Sequence, residues 1–553
     1  MKNIPNKPIK RVERRGRARL ALFLALTMLL SLTLGACRRG EGGSSAATPE
    51  PSAEPTPDAT AAPAHGGRLR MAMPENLDVG NESYDPLIVN TEEALNLYSL
   101  VFEPLIAVDE QNSLVPCLAI NWSAAAHIEN AWVVKLRDGV RWHSGAAFTA
   151  DDVVFTWQRL CSLGAESYYR GSLASIESIT KLDRTTVLVT CVSPGMLNLY
   201  ALNFPILNHN FEIFDGTGPY RVTSRADERI SMSVNSDWWD RPPYIETIDF
   251  YSRDSNETAL ASYSAGQLDL VPTALLSAGK YSDAGVTVVR DYMTQGMETI
   301  LFNHRRSLMM NTDFRRAIAH SINRARIVSN VYTNRARSCD VPVPPDSWLY
   351  NGNNQQIDYN PHTAARLFEA AGCRLGSDGL LYYGASPVEL DLLVSSSQDN
   401  SIRSDAASAI VSQLQQVGVT VNVITAAHGY GQQESEFLTS LRQMNWDMAL
   451  VGFNLGIAND LSPYLSDNGS NNFGCYPGNV FSELLRQARN APDEESLRAV
   501  FFELQTKFIE ELPFIVLYFR LNSLVARSSL SGVSALREPA LLRNIKNWYL
   551  VTD

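Results

Sequence analysis

LRDGVRWHSGAAFTADDVVFTWQRL, residues 136–160, carries a strand, a turn and a helix start in one stretch. Its beginning continues WVVKLR, Trp132–Arg137, which alternates apolar and polar side chains as a half-buried strand does, and Asp138-Gly139 supplies the tight turn that ends it. Thr149 with Asp152 three residues on is a capping-box pair, so a helix opens there. Phe148 is placed to staple its first turn, and Val153, Val154, Trp157, Leu160 and Cys161 form its core face. Arg137, Asp138, His143 and Asp151 read as scaffold, and Trp142, Phe155 and Trp157 as core rather than a ligand platform.

Outward from this block, strands and helices alternate as they do in α/β lobes. Arg68–Met73 (RLRMAM) alternates like a first strand, and Asn90 with Glu93 forms a capping box ahead of the amphipathic run Ala94, Leu95, Leu97, Tyr98 and Val101. Leu182–Thr190 reads as a strand pair. Asn360-Pro361 starts a helix that Gly372 stops, since proline suits the first helical turn and glycine the position beyond the last. Val388, Leu390, Leu392 and Val394 alternate as a strand. Residues 401–417 read as a helix with Ile410, Val411, Leu414 and Val417 inward and Gly418 as its stop, followed by strands at Val419–Thr425 and Asp447–Phe453.

The N-terminus carries a different instruction. Residues 1–19 hold eight basic residues against Glu13, and Leu20–Ala36 is apolar apart from small and hydroxyl residues. A basic flank and a short apolar core ending in small residues form a secretory signal peptide, with an uncleaved anchor helix as the alternative. LGAC, Leu34–Cys37, resembles the bacterial lipobox, whose cysteine is lipidated after cleavage and becomes residue one. Residues 38–67 contain no large apolar side chain and can bury nothing to offset chain entropy, so they read as a disordered, semi-extended tether. The chain's net charge of −12 becomes −19 once the leader's +7 is removed. An acidic body argues against nucleic acid and against an anionic-lipid patch. Removal of 36 residues from 553 leaves 517, too many for one hydrophobic core, so at least two lobes are expected. Beyond Cys37 the six cysteines Cys117, Cys161, Cys191, Cys339, Cys373 and Cys475 are open to disulfides in an exported chain or to buried thiols.

Residues 136–160 closely resemble the signature block of the family 5 extracellular solute-binding proteins, the oligopeptide-, dipeptide- and nickel-binding components of ABC importers. ESYDPLIVNTEEALNLYSLVFEPL (82–105), GTGPYRV (216–222), FNHRRSLMMNTDFRRAIAHSINRARIV (302–328), YNPHTAARLFEAAG (359–372), IVSQLQQVGVTVNV (410–423) and WDMALVGF (446–453) follow in the family's order. The similarity spans roughly residues 67–553. It implies an α/β, two-lobe periplasmic-binding-protein-like (type II) fold with an extra subdomain inserted in the first lobe. The expected divisions are signal peptide 1–36, tether 37–67, lobe 1 at 68–108, 213–300 and 519–553, inserted subdomain 109–212, and lobe 2 at 301–518. Chain crossings are expected near Leu301–Asn303 and Tyr518–Arg520. The resemblance also implies capture of a small peptide or similar solute in an interlobe cleft, closure by hinge bending, and delivery to ABC permease subunits by a monomer held on the extracytoplasmic face of the cell membrane through Cys37. Peptide-binding members hold the ligand's main chain like an added strand, and a carboxylate takes its α-amino group.

Here the sequence departs from that pattern. Where peptide binders carry GW..D, this chain reads GFNLGIANDLSPYL, with Phe453 for the Trp, Asn454 or Gly456 where the Asp would fall, and Asp460 about four residues late. Asp460 is therefore either the amine anchor on a longer loop or a cap for Leu461–Leu465. Tyr84, Asn303 and Tyr464 complete the candidate ligand-binding set with Phe453, Asn454 and Asp460. A non-peptide solute such as a metal chelate, and a ligand-presenting sensor, are the other binding readings.

Enzyme readings are weak. No P-loop, GxSxG or HExxH occurs, and Arg221 stands where a dinucleotide fingerprint beginning Gly216-x-Gly218 needs a third glycine. Ser178-Ile-Thr-Lys181 with Ser466-Asp467-Asn468 echoes penicillin-recognising serine enzymes, but KTG is missing. The eight histidines never fall at metal-ligand spacing, and no cofactor or resident metal is expected.

Overall fold

Two strands far longer than the usual five or six residues organise the molecule: Thr287–Phe302 spans 16 residues and Phe514–Arg527 spans 14. The computed structural model describes residues 63–73, 85–88, 91–210, 213–226, 229–283, 285–354, 356–396, 401–427 and 435–551. The leader, Cys37, Tyr84 and Asn90 lie outside the described residues.

The long strands pair antiparallel, and each belongs half to one wing of an 11-stranded sheet. On one side Gly296–Phe302 pairs with Met448–Asn454, which continues to Glu389–Ser396 and Thr420–Ala427, the wing called lobe 2 here. On the other, Ser523–Ala526 pairs with Leu270–Thr273, leading through Arg68–Met73 and Thr247–Ser252 to Arg229–Val234 and Tyr220–Ala226, the lobe 1 wing. Between the halves the register slips: Met293 faces Leu521, but the next paired residue, Met297, faces Phe519. This irregularity lies N-terminal to Leu301–Asn303, where the sequence places the first crossing, because residues 297–301 are held in the ladder from both sides. The second expected crossing, Tyr518–Arg520, overlaps the slip.

A separate four-stranded antiparallel sheet orders Ala119–Ala124, Ala131–Leu136, Thr186–Cys191 and Ile176–Asp183. The helix Ala150–Leu163 packs on it. Its capping box forms as the sequence predicts, and the carboxylate of Asp152 also accepts the Trp142 indole N–H at 3.3 Å and the His209 backbone N–H at 3.0 Å. Trp142, Phe148, Val153, Trp157 and Leu160 are buried, whereas Val154 is half-buried and Cys161 exposed, so the core face is narrower than the pattern suggests. His143 bonds the Gly218 carbonyl at 3.0 Å, while Asp138 and Asp151 lie at the surface, paired with Arg184 and Lys181. The block is scaffold.

Gly216 and Gly218 serve packing rather than a nucleotide. A Cβ on Gly216 would sit 1.8 Å from the Val101 carbonyl oxygen, and one on Gly218 2.5 Å from that of Leu100. These glycines let Tyr220 and its strand lie against the helix–loop segment that leads to the cavity described below.

Most local expectations hold, with corrections. Asn360 caps Pro361–Ala370, Gly372 follows in the left-handed region, and Ser401–Gln415 is helical with Gly418 beyond it. Val411 and Val417 are half-buried where the pattern turns them fully inward. The helix after the first strand runs Glu92–Tyr98 with Thr91 as its N-cap, in place of the predicted Asn90. The expected strand pair at 182–190 begins earlier, so Ser178 and Lys181 both lie in the strand Ile176–Asp183, and Lys181 pairs with Asp151 at 2.7 Å. Ser178 therefore has no helical turn to bring Lys181 to it, which removes the serine-enzyme reading. The ordered body begins earlier than residue 68: Gly66 N–H donates to the Tyr244 carbonyl at 2.8 Å, and the His65 ring stands 4.8 Å from that of Tyr244. The six described cysteines are free thiols. No helix among the described residues is long and apolar enough to cross a membrane.

Candidate functional site

Strand Met448–Asn454 ends at the register slip, and the chain then turns through a loop rather than joining the sheet again. Asn459 holds that loop in the left-handed region, its amide reaching Ser347 Oγ at 3.3 Å. Asp460 Oδ1 accepts the Ser462 N–H at 2.9 Å, a local turn bond of the kind Asp side chains favour. The short helix Ser462–Leu465 follows, and Tyr464 packs edge-on against Phe453 with ring centroids 5.2 Å apart.

This loop forms one wall of a cavity of about 1030 Å³, at the upper end of the range for small-molecule sites. The facing wall belongs to lobe 1 and comes from residues 95–117, 168–172, 197–205, 238–240 and 539–546, while Gln295 from the slip lies between the walls. Of the sequence candidates, Asn454, Asp460 and Tyr464 line the cavity together. Asp460 is exposed, and among the described residues its second carboxylate oxygen accepts no hydrogen bond. Asn303 does not line the cavity: its Nδ2 donates to the Met444 and Trp446 carbonyls at 3.0 and 2.7 Å, so it ties down the chain entering the last lobe 2 strand. Phe453 lies behind Tyr464 as packing, 9 % exposed.

The lobe 1 wall holds residues that sequence reading missed. Glu103, 5 % exposed, accepts the Trp239 indole N–H at 2.9 Å, the Trp238 indole N–H at 3.1 Å and the Thr217 hydroxyl at 2.9 Å. Burial pushes its carboxyl up to about 7, and those donors, with Arg137 nearby, pull it back from a larger rise. Arg137 itself stacks on Trp239, 3.9 Å from the ring centroid. An acid inside the apolar run LYSLVFEPLIAV, and the adjacent tryptophans of SDWWDRPP, were the available signals. Asp240 and Lys546 pair with each other at the rim, and Arg543 completes the wall.

At the joint the Gln295 N–H donates to Glu538 at 3.3 Å, and Glu92 and Glu538 interact as neighbouring carboxyl groups. Tyr292 donates to Glu92 at 3.4 Å, and the Asn522 amide donates to Glu538 at 2.8 Å. Burial, then the charge of Glu538, pushes the Glu92 carboxyl up to about 9, and burial raises Glu538 as well. On the lobe 2 side of the slip, Glu298 is buried and paired with Arg403 at 2.9 Å and Arg520 at 3.7 Å.

The sequence pattern of the bacterial extracellular solute-binding proteins, family 5, matches residues 113–474. The oligopeptide-binding protein AppA of Bacillus subtilis is 23 % identical over 569 residues, covering 96 % of this chain and 98 % of its own. Among solved structures, NikZ from Campylobacter jejuni in complex with Ni(L-His) aligns with a TM-score of 0.65 at 22 % identity, covering 87 % of this chain and 99 % of that one. DppA from Helicobacter pylori in complex with the peptide STSA gives 0.62 at 22 %, covering 88 % and 99 %. All share the two-lobe fold described above.

Proposed function

Because the chain belongs to the bacterial extracellular solute-binding proteins of family 5, its extracytoplasmic role is to bind a solute, and we propose that this solute is a short peptide held in the interlobe cavity and passed to an ABC permease. The observation that carries the peptide reading is the cavity of about 1030 Å³ whose lobe 2 wall presents the Asp460 carboxylate with one oxygen uncommitted. A peptide amino terminus matches that group, and a charge-assisted bond to it forms at the place where the two walls face each other. That the similar AppA is an oligopeptide-binding protein and DppA holds the peptide STSA supports the same reading.

Closure in this reading bends the two long strands at Met293–Met297 and Phe519–Leu521, where their mutual pairing is already interrupted. The four-stranded sheet within residues 119–191 then corresponds to the inserted subdomain of lobe 1. Cys37 carries the lipid and residues 38–62 hold the monomeric body off the membrane. Cys37→Ser should release the protein from the membrane fraction, and quantitative retention there would return the uncleaved-helix reading.

The test of the ligand class is calorimetry and thermal melting of the full chain in detergent with a panel of three- to five-residue peptides, their N-acetylated forms and the nickel–histidine complex. Free peptides should bind and raise Tm, and acetylation should weaken them about tenfold to a hundredfold. Binding of nickel–histidine without any peptide would overturn the peptide reading.

A further inference from the structure

The lobe 1 wall contains a cation that the protein leaves unanswered. Arg543 is partly buried in the turn Pro539–Lys546 and lines the cavity, and among the described residues its guanidinium makes no hydrogen bond and no ion pair. Other inward-facing arginines have protein partners. Arg315 donates to the Leu512, Met309 and Glu511 carbonyls, and Arg537 to Asp346 at 2.7 Å. Burial lowers the affinity of Arg543 for its proton, while Asp109 and Glu110 attract it from beyond pairing distance. A guanidinium only partly withdrawn from water, with no partner in the protein, keeps its N–H donors free for a ligand at the cavity.

We infer that Arg543 is the anchor for a carboxylate of the bound solute, received by its planar fork as two parallel N–H···O bonds. The inference deepens the solute-binding reading above and rests on it. Lys546 is already neutralised by Asp240, so Arg543 is the one cation of that segment left to the ligand, and its planar fork matches the two oxygens of a carboxylate. With Asp460 on the opposite wall, the cavity offers one pole to an amine and one to a carboxylate. A zwitterionic solute therefore bridges the lobes and couples its binding to closure.

The experiment compares the full chain with R543Q and R543K. Three probes are used: a tripeptide with a free C-terminus, the same peptide as its C-terminal amide, and an amide carrying one internal glutamate. Wild type should bind the free acid about tenfold to a hundredfold more tightly than the plain amide, and R543Q should bind the two alike. R543K should restore part of the preference. A preference for the free acid identifies the α-carboxylate, and equal rescue by the glutamate peptide identifies a side-chain carboxylate. Equal binding of all three probes by wild type overturns the inference while leaving peptide binding intact. Failure of every probe to bind sinks the peptide reading instead, and the ligand-free melting temperature then decides: R543Q should raise it, because an uncompensated cation has been removed, and a fall would overturn the inference by showing that the arginine serves the fold.

Discussion

The two walls of the cavity are built in opposite ways. The lobe 2 wall is largely one continuous run, Asn454 to Tyr464, whose only charge, Asp460, is exposed and fixed by a bond to its own loop. The lobe 1 wall gathers Glu103, Cys117, Trp238, Trp239 and Arg543 from across the chain, and burial shifts both Glu103 and Arg543. A charge interaction is worth more where water is excluded, so lobe 1 is built to discriminate among solutes and lobe 2 to make the first contact and close. Variants that separate the walls can break that division.

The largest effect is expected at the joint both walls depend on. Glu298→Ala removes the buried carboxylate that Arg403 and Arg520 face, and loss of one partner of a buried pair costs about 3–5 kcal/mol. Urea unfolding should show that loss as a lower midpoint, and a change under about 1 kcal/mol would mean the pair is surface-like.

Glu103→Ala comes next. Two indole N–H groups and the Thr217 hydroxyl lose their acceptor, for about 2–4 kcal/mol. The same variant reads the pH dependence. A carboxyl raised on folding binds more protons in the native state, so its stabilising share is complete below the unfolded value near about 4.3 and is lost as pH rises through the folded value. For Glu103 that window closes at about 7, and for Glu92 it extends to about 9. Between pH 5 and 8 wild type should therefore lose more stability than the variant, the difference in slope being the share of Glu103, since the other shifted groups, Glu92, Glu538, His143 and His304 among them, are common to both. An unchanged slope would show that Glu103 is ionised throughout.

Asp460→Ala is the mildest for the fold, since it removes one exposed turn bond at about 1 kcal/mol or less. Its effect should fall on peptide affinity, by about tenfold to a hundredfold in calorimetry. Reduced stability with unchanged affinity would make it only a cap, and would shift the whole of solute recognition to lobe 1.

The same contrast explains what the sequence could tell. Thr149 with Asp152, and Asn360-Pro361 with Gly372, were legible because a cap is decided within four residues. Asn454, Asp460 and Tyr464 were legible because they follow one recognisable strand. Thr91 rather than Asn90 stands at the N-cap position, without a side-chain capping bond, and Ser178 fell inside a strand, because propensity fixes the existence of an element better than its boundary. Glu103, Trp239 and Arg543 had no local pattern to join them: they meet only after the lobe 1 sheet, the close approach at Gly216 and Gly218, and the return of the chain past Arg527 bring them together. Asn303 was misassigned for the converse reason, since being near a site in sequence did not prevent its amide from being consumed by backbone carbonyls.

The claim that the interlobe cavity is the solute site is tested most directly at Gly456. It lines the cavity, and a Cβ built on it meets nothing within 4 Å, so a side chain placed there starts into open space at the cavity. Isothermal titration of Gly456→Trp with a peptide that binds wild type should show affinity lower by about tenfold to a hundredfold, with ligand-free stability within about 0.5 kcal/mol of wild type. Undiminished affinity with the tryptophan in place would put the solute somewhere else on the molecule.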